Sequence, residues 1–174
     1  TIAMRQLPCI LENIPDELTI APYLGTAYYG FNLTKPPFKD NPELRRALTL
    51  AVDRDIITEQ VTTSGEISAY GWVPPVDGYV GHQMPEANWT QAEREDEAQR
   101  LYALAGYSEE NPLVTEIMYN TSEDHKRIAL AISAMWKQVL GVEVSILNQE
   151  WKVFLDTRKQ MSDTQVFRDG WIGD

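Results

Sequence analysis

The stretch from Leu113 to Phe167 constrains this chain most. Leu113 to Tyr119 alternates in polarity and is rich in β-formers, the pattern of a half-buried strand. A helical period comes next, from Ser122 to Leu140, with Ile128, Ala131, Ile132, Met135 and Trp136 apolar and Gly141 to end it. Val142 to Leu147 alternates again. Glu150 to Lys159 reads as a helix with Val153, Phe154 and Leu155 inward, and Thr164 to Phe167 as a short last strand. Strand, helix, strand, helix, strand implies crossover helices packed on a sheet. The fold class predicted is mixed α/β, a mixed sheet flanked by helices.

The patterning upstream is different. Leu18 to Leu33 predicts extended chain, broken at Pro22 or Gly25, and Pro36-Pro37 forbids a helix locally. Asn41 reads as an N-cap with Pro42 at the first helical position, and Leu44, Ala47, Leu48 and Ala51 recur at helical spacing. Asp53 predicts the cap of a second short helix with Ile56, Ile57 and Val61 inward. From Thr62 to Trp89 the helical period vanishes among Gly65, Gly71, Pro74, Pro75, Gly78, Gly81 and Pro85, with Tyr70, Trp72 and Tyr79 between them. So long a connection is uncommon without a purpose. It reads either as a surface loop pinned by its aromatics or as a functional loop. Thr90-Gln91-Ala92-Glu93 is a capping box, and Ala98, Leu101, Tyr102 and Ala105 form the inner stripe of a helix that Gly106 ends.

Composition narrows the partners. Fifteen Lys+Arg face 26 Asp+Glu, a formal net charge of −11, which argues against nucleic acid and against an anionic membrane surface. Hydrophobic residues at 43% are too many for a disordered acidic chain. No apolar run is long enough to span a bilayer, so no direct membrane insertion is expected. The single cysteine, Cys9, excludes an intramolecular disulfide and a cysteine-rich zinc site, and reads as an inert buried thiol. Thr1-Ile2-Ala3 shows no targeting segment, and the chain stops at Gly170-Trp171-Ile172-Gly173-Asp174, a strand running into a turn. Both ends predict a piece of something longer.

Enzyme templates are missing: there is no nucleophile elbow, phosphate loop, dinucleotide fingerprint or zinc-protease helix. His82 and His125 lie in separate segments without paired metal spacing, so no metal and no cofactor is expected. His125 reads as a polar residue at a helix start that helps a ligand there. Glu95 and Asp96 read as a solvated helix face. Trp136 belongs to the core, while Trp151 and Trp171 stand at element ends and suit the lining of a cleft. Ligands of α/β sheets gather at the carboxyl ends of strands, where Arg168, Asp169, Trp171 and Asp174 fall. A cation, an anion and an indole there suit a zwitterionic ligand with apolar side chains. The other reading is that Arg168 and Asp174 simply pair with neighbours.

Several blocks then carry a resemblance. They are Tyr28-Tyr29-Gly30-Phe31-Asn32 with Lys35-Pro36-Pro37-Phe38, Arg45-Arg46-Ala47-Leu48-Thr49-Leu50-Ala51-Val52-Asp53-Arg54, and Ala69-Tyr70-Gly71-Trp72-Val73-Pro74-Pro75. Further on come Tyr119-Asn120-Thr121-Ser122, Asn148-Gln149-Glu150-Trp151-Lys152 and Arg168-Asp169-Gly170-Trp171. In this order they resemble the periplasmic oligopeptide-binding proteins, the substrate-binding subunits of bacterial peptide ABC importers.

The resemblance implies one lobe of a two-lobed, type II periplasmic binding protein of the extended peptide-binding class. Residues 1–174 would form a single truncated C-terminal lobe with the long loop at 62–89. It implies a binding protein and not an enzyme, a monomer whose partners are short peptides and the importer's permease subunits. Its place would be periplasmic, or lipid-anchored outside the membrane in a Gram-positive relative. By resemblance Asp174 pairs with the peptide's α-amino group, and the backbone of Gly170 and Ile172 extends the peptide as a strand. Trp171 and Trp151 flank side-chain pockets, Arg168 and His125 meet the peptide carboxylate, and Arg158, Asn120 and Tyr28 line the cavity. Gly30 departs from an acidic residue of close relatives, and Gly25 and Ile172 from a bridging cysteine pair. Alternatives are another solute on the same fold (a dipeptide, murein peptide, nickel complex or oligosaccharide), a carboxylate-based hydrolase, or an interaction domain built on the aromatic loop.

Overall fold

The computed structural model describes residues 7–21, 23–161 and 164–173. In chain order the elements are helix α1 (Leu7–Asn13), strand β1 (Gly25–Phe31), α2 (Pro42–Leu50), α3 (Arg54–Ile56), α4 (Gln91–Leu104), β2 (Val114–Asn120), α5 (Glu123–Leu140), β3 (Glu143–Gln149), α6 (Trp151–Gln160) and β4 (Val166–Ile172). The strands form one sheet in the order β1-β4-β2-β3. Chain contacts divide the molecule into two compact units, residues 1–26, 54–87 and 171–174, and residues 27–53 and 88–170.

The second unit holds nearly all of the apolar core. Leu44, Ala47, Leu48 and Leu50 of α2, Ala98 and Leu101 of α4, Ile117 and Met118 of β2, Ala129, Ile132 and Trp136 of α5, and Phe154 of α6 are all buried. Trp136 joins layers by packing and by a hydrogen bond, its indole N–H donating to the Leu48 carbonyl at 2.8 Å. The expected caps are present. Asn41 accepts from the Leu44 N–H with Pro42 behind it, and Thr90 and Glu93 form the reciprocal capping box. Gly106 and Gly141 end their helices at positive φ, where other residues are strained.

β2 pairs in parallel with β3 from Val114↔Glu143 to Asn120↔Gln149, and in parallel with β4 at Ile117↔Val166 and Met118↔Phe167. The mixed α/β class is therefore correct, with the crossover helices where the period placed them. One side chain fixes the β2–β4 register. Gln165 Oε1 accepts from the Thr115 hydroxyl at 2.9 Å and from the Glu116 N–H at 3.0 Å. Asn32 secures the end of β1 by donating to the Met161 and Thr164 carbonyls. β1 lies antiparallel to β4: the Asn32 N–H reaches Gln165 O at one end, and the Gly173 N–H reaches Leu24 O at the other. The Phe167 ring covers Gly30, whose Cβ would lie 2.6 Å from a ring carbon.

The first unit has little apolar core, Leu7 being its one buried hydrophobic residue among those described. The long loop is held by polar and backbone contacts: Thr26 Oγ1 donates to Trp72 O, Ser68 donates to Asp55, and Gly71 bridges Gln83. A Cβ on Gly71 would lie 2.3 Å from the His82 carbonyl oxygen, so the two strands of this loop approach closely because Gly71 has no side chain. Of the loop's aromatics, Tyr70 lies under the Arg54 guanidinium, 5.0 Å from the ring centroid, while the Trp72 and Tyr79 side chains are exposed.

Several expectations need correction. β1 starts only at Gly25, and the break expected at Pro22 lies outside the described residues. Ile56 is exposed and Ile57 and Val61 are only part-buried, because α3 runs into a π-helical turn (Ile57–Thr62) that rotates the i, i+4 face outward and buries Thr62 instead. Val153 is exposed while Phe154 is buried, α6 presenting one narrow stripe to the sheet. Cys9 is exposed on the outer side of the short α1, not buried. β4 runs to Ile172, well past Phe167.

Replacing Trp136 by Phe keeps most of the apolar volume but leaves the buried Leu48 carbonyl without its donor. Urea unfolding of Trp136→Phe is expected to show a loss of about 1–3 kcal/mol from that carbonyl alone.

Candidate functional site

Because β3 and β4 both run parallel to β2, their carboxyl ends share one edge of the sheet with that of β2. In the second unit this edge carries Asn120, Gln149 and Arg168 to Gly170, and α5 and α6 start just beyond it. This is the edge at which open α/β sheets bind ligands. The pairing of β4 with β2 stops at Phe167, so the backbone from Arg168 to Gly170 has no strand partner on that side among the described residues.

Strand residues alternate between faces, and here the alternation separates the charges. On one face the Tyr28 hydroxyl donates to Asp169 Oδ2 at 2.9 Å, and the same oxygen forms an ion pair with the Arg158 guanidinium. Asp169 Oδ1 accepts from the Gly170 N–H at 2.9 Å. Side-chain exposure is only 29% for Arg158 and 20% for Asp169, so this pair is screened less than a surface one. Arg158 also lies over the Phe154 ring, 5.9 Å from its centroid, and Phe154 stacks on Trp151 at 5.9 Å. Burial, together with the Asp169 hydrogen bond and charge, raises the Tyr28 pKa, so this phenol is a fixed donor.

Arg168 belongs to the opposite face. It is part-buried, and burial draws its pKa down, while Tyr29 and Asp169 act the other way. Its guanidinium makes no hydrogen bond or ion pair with any described residue. The Tyr29 hydroxyl is buried, is likewise without a partner among the described residues, and is held protonated by burial despite the nearby Arg168. Asn120 Oδ1 and Gln149 Oε1 are also buried without partners among the described residues. His125, in the first turn of α5, places Nδ1 3.3 Å from the Asn120 carbonyl oxygen. Burial first and the Arg168 charge second lower its pKa below the ordinary 6.5, against smaller opposing effects of Asn120 and Asp124. The edge thus offers one open cation beside neutral donors and acceptors.

Of the residues singled out from the sequence, Tyr28, Asn120, His125, Trp151, Arg158, Arg168 and Gly170 lie in the second unit. Tyr28 and Arg158 meet on Asp169, and His125 comes within electrostatic reach of Arg168. Trp151 is half-exposed at the start of α6. Trp171 and Ile172 belong to the first unit and are exposed there. Asp174 lies outside the described residues. Sequence reasoning missed the clasp made by Asp169 and the buried hydroxyl of Tyr29. Alternation along β1 and β4 was the available signal, since it puts Tyr28 with Asp169 and Tyr29 with Arg168.

On the β2 side this edge therefore presents a part-buried cation and a stretch of strand backbone, both without a partner among the described residues, in a mixed α/β fold. The chain belongs to the bacterial extracellular solute-binding proteins, family 5 (Middle), which it matches over residues 7–174. It is 47% identical over 164 residues to the periplasmic oligopeptide-binding protein OppA of Escherichia coli, covering 94% of this chain and 30% of that protein. Among solved structures, the Escherichia coli murein tripeptide-binding protein MppA superposes with a TM-score of 0.91 at 37% identity, over 99% of this chain and 34% of that one. Haemophilus influenzae OppA in complex with the peptide RPPGFSPFR gives 0.86 at 35% identity, again over 99% and 34%. The chain therefore spans about a third of the length of these relatives. The fold is that of type II periplasmic binding proteins.

A depressed histidine takes up its proton in the unfolded chain before the folded one. The folded state is thus undiminished above pH 6.5 and loses stability as pH falls from there toward the folded pKa. NMR titration of the His125 ring should give a midpoint below 6.5, rising in Arg168→Gln once the neighbouring charge is gone. A midpoint at or above 6.5 in the wild type would contradict this electrostatic picture.

Proposed function

We propose that this chain is a truncated C-terminal ligand-binding lobe of an ABC-importer receptor that captures short oligopeptides and delivers them to the permease. The observation that carries the reading is Arg168, a part-buried guanidinium without a partner among the described residues, on the stretch of β4 that runs past its pairing with β2. An extended peptide laid along Arg168 to Gly170 gains main-chain hydrogen bonds, which read its direction and length and not its sequence. Arg168, with His125 near it, receives the carboxylate, and Asp174 receives the α-amino group. The backbone of Gly170 and Ile172 continues the added strand. Trp151 and Trp171 flank side-chain pockets, and Asn120, Tyr28 and Arg158 line the cavity through water, which lets side chains vary. The names of the oligopeptide-binding relatives and the peptide complex of the Haemophilus protein support this choice of ligand.

The receptor is a monomeric binding protein and not an enzyme, and it works in the periplasm or, in a Gram-positive relative, lipid-anchored outside the membrane. The likeness to the murein tripeptide-binding protein supports a second reading, in which the peptides come from the cell wall.

Calorimetry of tri- and tetrapeptides against the full-length receptor tests the function. Free peptides should bind, N-acetylated ones should bind poorly, and the 174-residue chain alone should bind weakly or not at all, since one lobe leaves the peptide's charged ends solvated. Arg168→Gln should weaken binding by about 30-fold or more, the loss expected for one partner of a desolvated charge pair. Equal binding of acetylated and free peptides would remove the amine anchor and turn the reading toward another solute.

A further inference from the structure

We propose that Asp169 sets the anion capacity of this site: by closing on Arg158 it leaves Arg168 as the cation open to a ligand carboxylate and disfavours ligands that bring a second one. The inference rests on the peptide-receptor reading above and names what that receptor selects.

The contacts of Asp169 carry the argument. Its Oδ2 takes both the Tyr28 hydroxyl and the Arg158 guanidinium, and its Oδ1 takes the Gly170 N–H. The carboxylate is therefore tied to the strand backbone, to β1 and to α6 at once. It cannot turn away from Arg158 without giving up its bonds from the Tyr28 hydroxyl and the Gly170 N–H and separating a part-buried charge pair. Arg158 is equally held, its guanidinium lying over Phe154, which Trp151 backs. On this face the charges of Arg158 and Asp169 cancel, and Tyr28 stays neutral.

The other face keeps one positive charge, on Arg168, since Tyr29 stays protonated and His125 is depressed. A ligand with one carboxylate is matched at Arg168. A ligand with two must present the second to a face where Arg158 is already satisfied and the Asp169 carboxylate repels it. Asp169 thus acts through Arg158 as a specificity-determining residue.

The test uses the full-length receptor as wild type, Asp169→Asn and Arg158→Gln, with calorimetry of Ala-Ala-Ala and of the three tripeptides in which one Ala is Glu. The readout is the ratio of affinities, neutral over best glutamate-bearing peptide. The wild type is expected to favour the neutral peptide by about tenfold. Asp169→Asn releases Arg158 and should lower that ratio by about tenfold, whereas Arg158→Gln leaves a bare carboxylate and should raise it. Opposite shifts are the signature, because a merely structural role would weaken all peptides alike. Unchanged ratios, or shifts in the same direction, would overturn the proposal. If thermal melting shows that Asp169→Asn does not fold, Arg158→Gln decides alone, and an unchanged or lowered ratio overturns it. If the wild type takes none of the four peptides, the receptor reading itself fails.

Discussion

A parallel strand cannot reach its neighbour through a tight turn; the chain must first travel back along the sheet. β2 has such a neighbour on each side, and α5 and α6 make the two returns. The cost is a strand enclosed on both faces, and β2 meets it with Ile117, Met118 and Tyr119, all buried. Strands that run the same way end on the same edge, so residues from β2, β3 and β4 that are far apart in sequence become neighbours there. Gln165 holds β4 in register by giving its side-chain oxygen to β2, just before the strand leaves the pair.

Register then decides the electrostatics. A slip of one residue along β4 would move every side chain to the opposite face. Arg168 would lose Tyr29 and His125, and Asp169 would lose Tyr28 and Arg158. The observed register leaves a part-buried guanidinium on one face and an ion pair closed by a phenol on the other. Gly30 contributes by absence: it makes room for the Phe167 ring beside the closed pair, on the same side of β1 as Tyr28.

The two units draw their stability from different sources. The second is built on a layered apolar core, while the first relies on backbone bridges, glycine close approaches and side-chain hydrogen bonds around the long loop. Exposed Trp72, Tyr79 and Val80 accompany a chain that spans only about a third of its relatives. The loop's aromatics read from sequence as pins; in the structure Tyr70 under Arg54 is joined by Thr26, Asp55 and Gly71 in holding it.

The sequence by itself determined the elements of the second unit, because caps, terminal glycines and apolar periods act locally. Asn41 with Pro42, the Thr90–Glu93 box and Gly141 mark helix ends with a backbone hydrogen-bonding reason that needs no partner element. It placed Arg168 just past a strand ending at Phe167; in the structure Arg168 lies inside β4, level with the carboxyl end of β2. Tertiary structure decided what local rules cannot reach. The π-helical turn buried Thr62 and left Val61 only part-buried, β4 ran on to Ile172, and Asp169 paired with Arg158 and not with its neighbour in sequence. Adjacent strand residues face opposite ways, so the partner of an acid is set by which elements the sheet brings to each face, and that is written only in the assembled fold.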